Sequence, residues 1–350
     1  MERPRLSVHV ISETELLMMK SQGVHTAFLD CVEMLKSGNE VRCVVNQEGW
    51  GDVLHAHSYG PYYIWKGLMR KYRGRRILTV HVIPESIKGS LPAWRLLMPM
   101  ARWYFKFVYS FSDVCIAISP LVEETIRSLK VKTKVVRIDN PVIAEKFRST
   151  PRKRTAGRQL LNAPDAGFVV LGVGQIEGRK GIEDFLAVAA RFPQLTFVWV
   201  GGRPFGPFTE GIHRLNRQIS EAKKNNHRLI FAGTFPQKQM PLIYNAADIL
   251  LFPSLQENSP LVPIEAGAAS LPVIFRDLPE YARLYKHPYL KAENVEGFCS
   301  LVKKMIDDTR FYREASEISR KIVTQFDDTA IRRQLISLYR EVGERKGTAA

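Results

Sequence analysis

The sequence predicts an α/β protein of two doubly wound, Rossmann-like domains, and three observations carry that reading. Short β-branched runs alternate with stretches of helical period, the rhythm of a parallel sheet with crossover helices. The alternation breaks at a polar, basic stretch near the middle and then restarts. At 350 residues, with 45% hydrophobic and 10% aromatic content, the chain is long enough for two cores of ordinary size.

Taken in order, the first strands are LSVHVIS, EVRCVV, DVLHAH, RRILTVHV, DVCIAIS and KVVRI, with a helix from about Val24 to Leu35 after the first. Ser119 is placed to cap a helix beginning PLVEE, and Asn140-Pro141 to turn the chain between domains. AEKFRSTPRKRTAGRQLLNAPDAG, punctuated by Pro, Gly and charge, supplies a linker and surface loops. GFVVLGV, TFVWVGG, RLIFAG, DILLFPS and LPVIFR follow as strands, each with a helix, and from about Val295 the pattern is helical. The expected domains are 1–145 and 166–325, with 146–165 as linker and 326–350 as a C-terminal helix that could pack back on the first domain. Ligands of such sheets bind beyond the carboxyl ends of the strands, so chemistry is expected in the cleft between the two domains.

The formal charge of +16 implies an anionic partner: nucleic acid, an anionic bilayer or a phosphorylated metabolite. Ten Lys or Arg lie between Lys66 and Lys106 against the single acid Glu85, so the first half carries a strongly cationic surface. MERPRLSVHVIS opens with mixed charge and has too short an apolar run for a secretory segment, and no stretch approaches the ~20 apolar residues of a membrane span. Cys31, Cys43, Cys115 and Cys299 are far apart, without zinc-site spacing. A cytoplasmic protein with reduced thiols is expected.

Two motifs carry chemistry. In SLQENSPLVPIEAGAASLPVIF the strand DILLFPS ends at a loop holding Glu257, and Pro263 marks a helix start with Glu265 in its first turn. Backbone N–H groups at that start could receive a phosphate, while the two carboxylates could accept hydrogen bonds from hydroxyls of a bound sugar and ribose. The macrodipole would explain Glu265 alone, at ~0.3–1 kcal/mol, but not Glu257. In LGVGQIEGRKGIEDFL a strand passes through Gly172, Gly174 and Gly178, which let backbone approach an anion, to Arg179 and Lys180, which could neutralise it. The chain has no Asp-x-Asp pair to hold a metal, so fixed cations would have to balance a departing diphosphate; no metal and no cofactor are expected. The alternative is a turn with two solvated charges.

These residues resemble glycosyltransferase family 4. Glu257 to Glu265 reproduces its E-x7-E signature, and PLIYNAADILLFPS resembles the approach to it. GVGQIEGRKG resembles the family's GR…KG loop, QGVHTAFLDCVEMLKSGNEV its N-terminal Gly loop and helix, and TVHVIP the strand end that carries its histidine. The resemblance implies a GT-B fold, with 1–145 as acceptor domain and 166–325 as nucleotide-sugar-binding domain, and a retaining hexosyltransferase without a metal. It further implies Glu265 on the donor ribose, Glu257 on the sugar hydroxyls with Asn258 and Ser259 beside it, Lys180 on the diphosphate, His81 beside the reacting carbon, and Gly23 and Gly174 where backbone meets the donor. One departure stands out: Gln175 replaces the family's usual Arg, and neighbouring Arg179 is the candidate for the missing cation.

GQIEGRKGIEDF with FVWVGGRPFG is similar to the members that add a second hexose to a glucosyl-diacylglycerol. A UDP-hexose donor and a membrane glycolipid acceptor would follow, or, alternatively, a soluble or polysaccharide acceptor. The segment AWRLLMPMARWYFKFVYS at 93–110 agrees with the lipid reading: Arg95, Arg102 and Lys106 form one stripe, while Trp94, Trp103, Phe105 and Phe107 with Leu and Met cover the rest. Such a segment could lie in an anionic headgroup layer as a peripheral anchor, or pack under the first sheet as a core helix broken at Pro99.

His55 and His57 straddle one residue at a strand end, where with His81 a metal is imaginable, though no carboxylate or Cys completes a recognisable set; they would instead shape the acceptor side. A Rossmann oxidoreductase is one rival, but no acidic residue ends TFVWVGG to hold a ribose. A glycosidase needs an acid and a base flanking one bond, for which Glu265 is poorly placed. A nucleic-acid binder is favoured by charge alone and by no motif.

Overall fold

The computed structural model describes residues 6–16, 23–47, 49–88, 94–203 and 211–344. Gln22 of the N-terminal loop, residues 204–206 of the second glycolipid-like stretch, Ala93 and the tail 345–350 lie outside them. The chain divides into two units: one comprises Met1–Ile87, Arg95–Pro141 and Phe326–Ala350, the other Lys88–Trp94 and Val142–Gln325.

The first unit is built on a six-stranded parallel sheet of β1 (Ser7–Ile11), β2 (Arg42–Val45), β3 (Val53–Ala56), β4 (Arg76–Val80), β5 (Val114–Ala117) and β6 (Lys134–Arg137), in the order β2-β1-β3-β4-β5-β6. Its inner strands β1, β3, β4 and β5 are buried at almost every position because both faces are covered. Alternate residues go to opposite cores. Val53, Ile77 and Val114 join one with Phe28 and Tyr339. Leu54, Leu78 and Cys115 join the other with Tyr63 and Tyr109. The C-terminal helix Asp328–Gly343, capped by Asp327, belongs to this unit and buries Ile331, Leu335, Ile336 and Tyr339 in the first of those cores.

The second unit repeats the plan with β7 (Val169–Val173), β8 (Thr196–Val200), β9 (Leu229–Gly233), β10 (Ile249–Phe252), β11 (Val273–Arg276) and β12 (Leu290–Ala292), in the order β12-β11-β10-β7-β8-β9. Strand order reverses between β10 and β7. That switch point leaves a crevice beyond their carboxyl ends.

Three expectations change. The stretch read as linker contains a helix, Pro151–Leu160, whose N-cap Thr150 accepts a hydrogen bond from the Lys153 N–H at 3.2 Å. Gly157, which reads as a breaker, faces another helix so closely that a Cβ would lie 2.0 Å from the Leu242 carbonyl. Strand β12 was not anticipated: three residues with exposed Lys291 in the middle show no periodicity, yet they pair in parallel with β11. Pro99 does not break its segment, because the helix Trp94–Phe111 runs through it. Proline removes one N–H and crowds the carbonyl four residues back, that of exposed Arg95, close to the helix start.

Candidate active site

The loops that follow β7 and β10 meet at the switch point of the second sheet. After β7 the chain forms a 3-10 turn, Gly178–Lys180, and enters the helix Ile182–Arg191 through Gly181, whose φ of 71° is left-handed. Only glycine fits there, since a Cβ would stand 2.1 Å from the Pro253 carbonyl at the end of β10. Leu255 N–H donates to the Arg179 carbonyl at 2.8 Å, which straps the second loop to the first. The Gly174 carbonyl accepts from the Trp199 indole at 2.9 Å. Gly172 lies inside β7 with the Trp199 and Phe185 rings where a Cβ would sit, so it serves packing rather than an anion.

This framing brings Lys180 and Glu257 together. Lys180 Nζ lies 2.5 Å from Glu257 Oε1, and the Ser254 hydroxyl donates to the same oxygen at 2.6 Å. The side chains are mostly shielded from water, at 15% and 9% exposure, so the attraction is screened less than on an open surface. Asn258 and Ser259 are half-buried in the loop beyond. Glu265 stands in the first turn of the helix Val262–Ala268, buried, its Oε2 accepting from the Tyr244 hydroxyl at 2.5 Å. Burial first, and this carboxylate second, push the Tyr244 phenol well above its ordinary value, so it stays a donor.

Arg179, the candidate cation beside Lys180, has contacts within its own loop. Its guanidinium pairs at 2.7 Å with Glu177, a carboxylate wholly buried, and contacts Gln175 Oε1 at 3.4 Å. Its charge thus lies beside a carboxylate of its own loop and beside Gln175.

The remaining residues, Trp94 excepted, lie in the first unit. Gly23 opens the helix Gly23–Lys36, with open space where a Cβ would point. His81 follows β4, and its Nε2 lies 3.0 Å from His57 Nδ1. Desolvation drives the pKa of His81 and of His55 down to about 3 and lowers that of His57, so all three rings are neutral. His55 is fully buried, bonded to Tyr339 and Thr79, each at 2.7 Å. It joins the C-terminal helix to the sheet; an acceptor surface is not available to it. Cys31, His55 and His57 each bring a ligand atom within 4.8 Å of the others. Both His55 nitrogens are already bonded and burial holds Cys31 as a thiol, which favours packing over a metal.

On the helix Trp94–Phe111, Phe105, Val108 and Tyr109 face the core. Leu96, Met100, Trp103 and Phe107 are exposed, at 83%, 63%, 69% and 45%. Their spacing of four, three and four residues makes one stripe beside Arg95, Arg102 and Lys106. Arg102 pairs with Glu85 at 3.0 Å, and Trp94, half-buried, lies 6.0 Å beneath the Lys88 ammonium. Among the described residues no helix is long and apolar enough to cross a membrane.

Ser254, Tyr244 and Glu177 escaped the sequence reading. Ser254 and Tyr244 stand inside PLIYNAADILLFPS, and Glu177 inside GVGQIEGRKG, but only the fold shows what each side chain holds.

Two doubly wound, six-stranded parallel sheets are the GT-B architecture, and the family models make the chain a glycosyltransferase. Residues 31–146 match Glycosyltransferase Family 4 and residues 153–322 match Glycosyl transferases group 1, and the chain belongs with these enzymes. It is 28% identical to the alpha-galactosylglucosyldiacylglycerol synthase of Streptococcus pneumoniae, over 94% of this chain and 87% of that protein. It is 26% identical to the processive diacylglycerol alpha-glucosyltransferase of Acholeplasma laidlawii, over 93% and 95%. Anabaena Alr3699/HepE, solved with UDP and glucose, shares the fold at a TM-score of 0.76 and 16% identity, over 96% of this chain and all of that one. WaaG, a glycosyltransferase of lipopolysaccharide biosynthesis, does so at 0.65 and 15%, over 95% and 99%.

Proposed function

We propose that this enzyme is a retaining, metal-independent hexosyltransferase that moves a sugar from a nucleotide diphosphate, UDP-hexose in the first instance, onto a membrane glycolipid such as monoglucosyl-diacylglycerol. The observation that carries the reading is the Lys180–Glu257 pair at the switch point of a doubly wound sheet. Breaking the bond between sugar C1 and the diphosphate oxygen leaves negative charge on the phosphates. The Lys180 ammonium, shielded from water, stabilises that charge as it grows, the part a divalent ion plays elsewhere. Glu257 then accepts from the sugar hydroxyls, and Glu265, held by Tyr244, from those of the ribose. His81, neutral and bonded to His57, offers a hydrogen bond rather than a charge.

The names of the two relatives, an alpha-galactosylglucosyldiacylglycerol synthase and a processive diacylglycerol alpha-glucosyltransferase, support the lipid acceptor. So does the exposed stripe Leu96, Met100, Trp103 and Phe107 beside its basic neighbours. Apolar side chains of this kind sink into the headgroup boundary while cations meet anionic lipid, each adding ~1 kcal/mol. A peripheral position on the cytoplasmic face of a membrane follows. The test is to incubate the enzyme with UDP-, GDP- and ADP-hexoses and vesicles containing monoglucosyl-diacylglycerol, with chelator present. A dihexosyl lipid with the donor's anomeric configuration is expected. Transfer that stops on chelation, or no transfer from any donor, would overturn the reading.

A further inference from the structure

The oxygen that Lys180 holds has a second donor, and this bears on how the pair survives its own reaction. Glu257 Oε1 accepts from the Lys180 ammonium at 2.5 Å and from the Ser254 hydroxyl at 2.6 Å. We propose that Ser254 is the positioning residue for Glu257, holding the carboxylate in place while Lys180 turns to the diphosphate. The inference rests on the donor site described above.

If Lys180 is the counter-ion of the departing diphosphate, its ammonium exchanges one anion for another in every turnover. Glu257 then loses its cation at the moment it has to fix the sugar. A carboxylate so shielded, with no other fixed donor, would swing away. Ser254 prevents this because its own position does not depend on the ligand. It sits just beyond β10, 1% exposed. The preceding Pro253 carbonyl is packed against Gly181, and the following Leu255 N–H is bonded to the Arg179 carbonyl.

The hydroxyl has one proton and three acceptors in reach: Glu257 Oε1 at 2.6 Å, the Arg179 carbonyl at 3.3 Å and the Gln256 carbonyl at 3.5 Å. The shortest contact is also the charged one, and hydrogen bonds to a carboxylate are the stronger kind. The proton therefore points at Glu257.

The experiment compares wild type, Ser254→Ala and Ser254→Thr, measuring kcat, donor KM and, by calorimetry, the Kd of UDP alone. Ser254→Ala is expected to lose roughly 10- to 100-fold in kcat, the factor a charged hydrogen bond is worth. The Kd of UDP should stay within about twofold, because Lys180 is untouched. Ser254→Thr, which keeps the hydroxyl on the same carbon, should recover most of the loss. An alanine variant with wild-type kcat overturns the inference while the functional reading stands. Parallel losses of kcat and UDP affinity, unrescued by threonine, assign Ser254 a merely structural part and overturn it too. Wild type that transfers from no donor removes both.

Discussion

Lys180 and Arg179 are adjacent cations with different employment, and single substitutions separate them. Lys180 faces a carboxylate that the proposed donor would displace. Lys180→Ala should lower kcat by about 10²–10³, the range for removing one preorganised donor from a developing anion, and weaken UDP binding in calorimetry. Arg179 instead balances Glu177, which is 0% exposed. Arg179→Ala should leave kcat within a few-fold, yet cost about 2 kcal/mol in urea unfolding, because it strands a buried carboxylate. Adding Glu177→Gln should return part of that stability. A turnover loss for Arg179→Ala comparable to that of Lys180→Ala, in a protein of unchanged stability, would restore it as the phosphate's cation. Spacing alone singled out both residues and both glutamates of the signature, because local turns set where their backbones go. It could not assign Arg179, whose partner is fixed by side-chain geometry, nor Tyr244, which reaches Glu265 across 21 residues.

The helix Trp94–Phe111 divides its apolar residues between a buried face and an exposed one, and substitutions on the two should have opposite readouts. Trp103 is 69% exposed, so Trp103→Ala should shift urea stability by no more than ~0.5 kcal/mol. The same change should lower partition onto vesicles of anionic lipid several-fold, and raised salt should weaken binding of both proteins. Phe105 is 4% exposed and packs on Tyr59 and Tyr109. Phe105→Ala should cost about 3–4 kcal/mol, with little effect on vesicle binding per folded molecule. Vesicle binding unaltered by Trp103→Ala together with Met100→Ser would dismiss the membrane face. The sequence read the amphipathic pattern but left core and bilayer as equal alternatives, since periodicity identifies an apolar face and not what covers it. Long buried strands such as TFVWV announced themselves by the same logic. The helix Pro151–Leu160 stayed hidden because its residues are polar, basic and interrupted by Gly157, and its stability comes from a tertiary neighbour and the Thr150 cap.

Across the whole chain, the first unit is completed from its far end. The helix Asp328–Gly343 returns to bury six apolar side chains, from Ile331 to Val342, against β3 and the helix Gly23–Lys36. At ~1.5–3 kcal/mol each, their loss is on the order of 10 kcal/mol, comparable to the total stability of a domain. A protein ending at residue 325 should therefore fail to fold its first unit.

The same junction predicts an acid-sensitive unit. His55, bonded to Tyr339 of that helix, and His81 titrate in the folded state at about 3, and His57 is lowered as well, in each case chiefly by desolvation. Unfolded, they return to about 6.5. Between those values the unfolded chain binds more protons than the folded one, so stability rises with pH through the window. It is fully present above about 6.5 and is lost as pH falls below that point. The limit is about 1.4 kcal/mol per pH unit for each histidine. Carboxylates remain mostly ionised down to about pH 5, so urea midpoints compared at about pH 7 and about pH 5 isolate the histidines. Wild type should lose well over 1 kcal/mol between them, and His57→Leu, with one titrating ring fewer, should lose less. Equal midpoints at the two values would show that the buried rings exchange protons with solvent as freely in the folded chain as in the unfolded one.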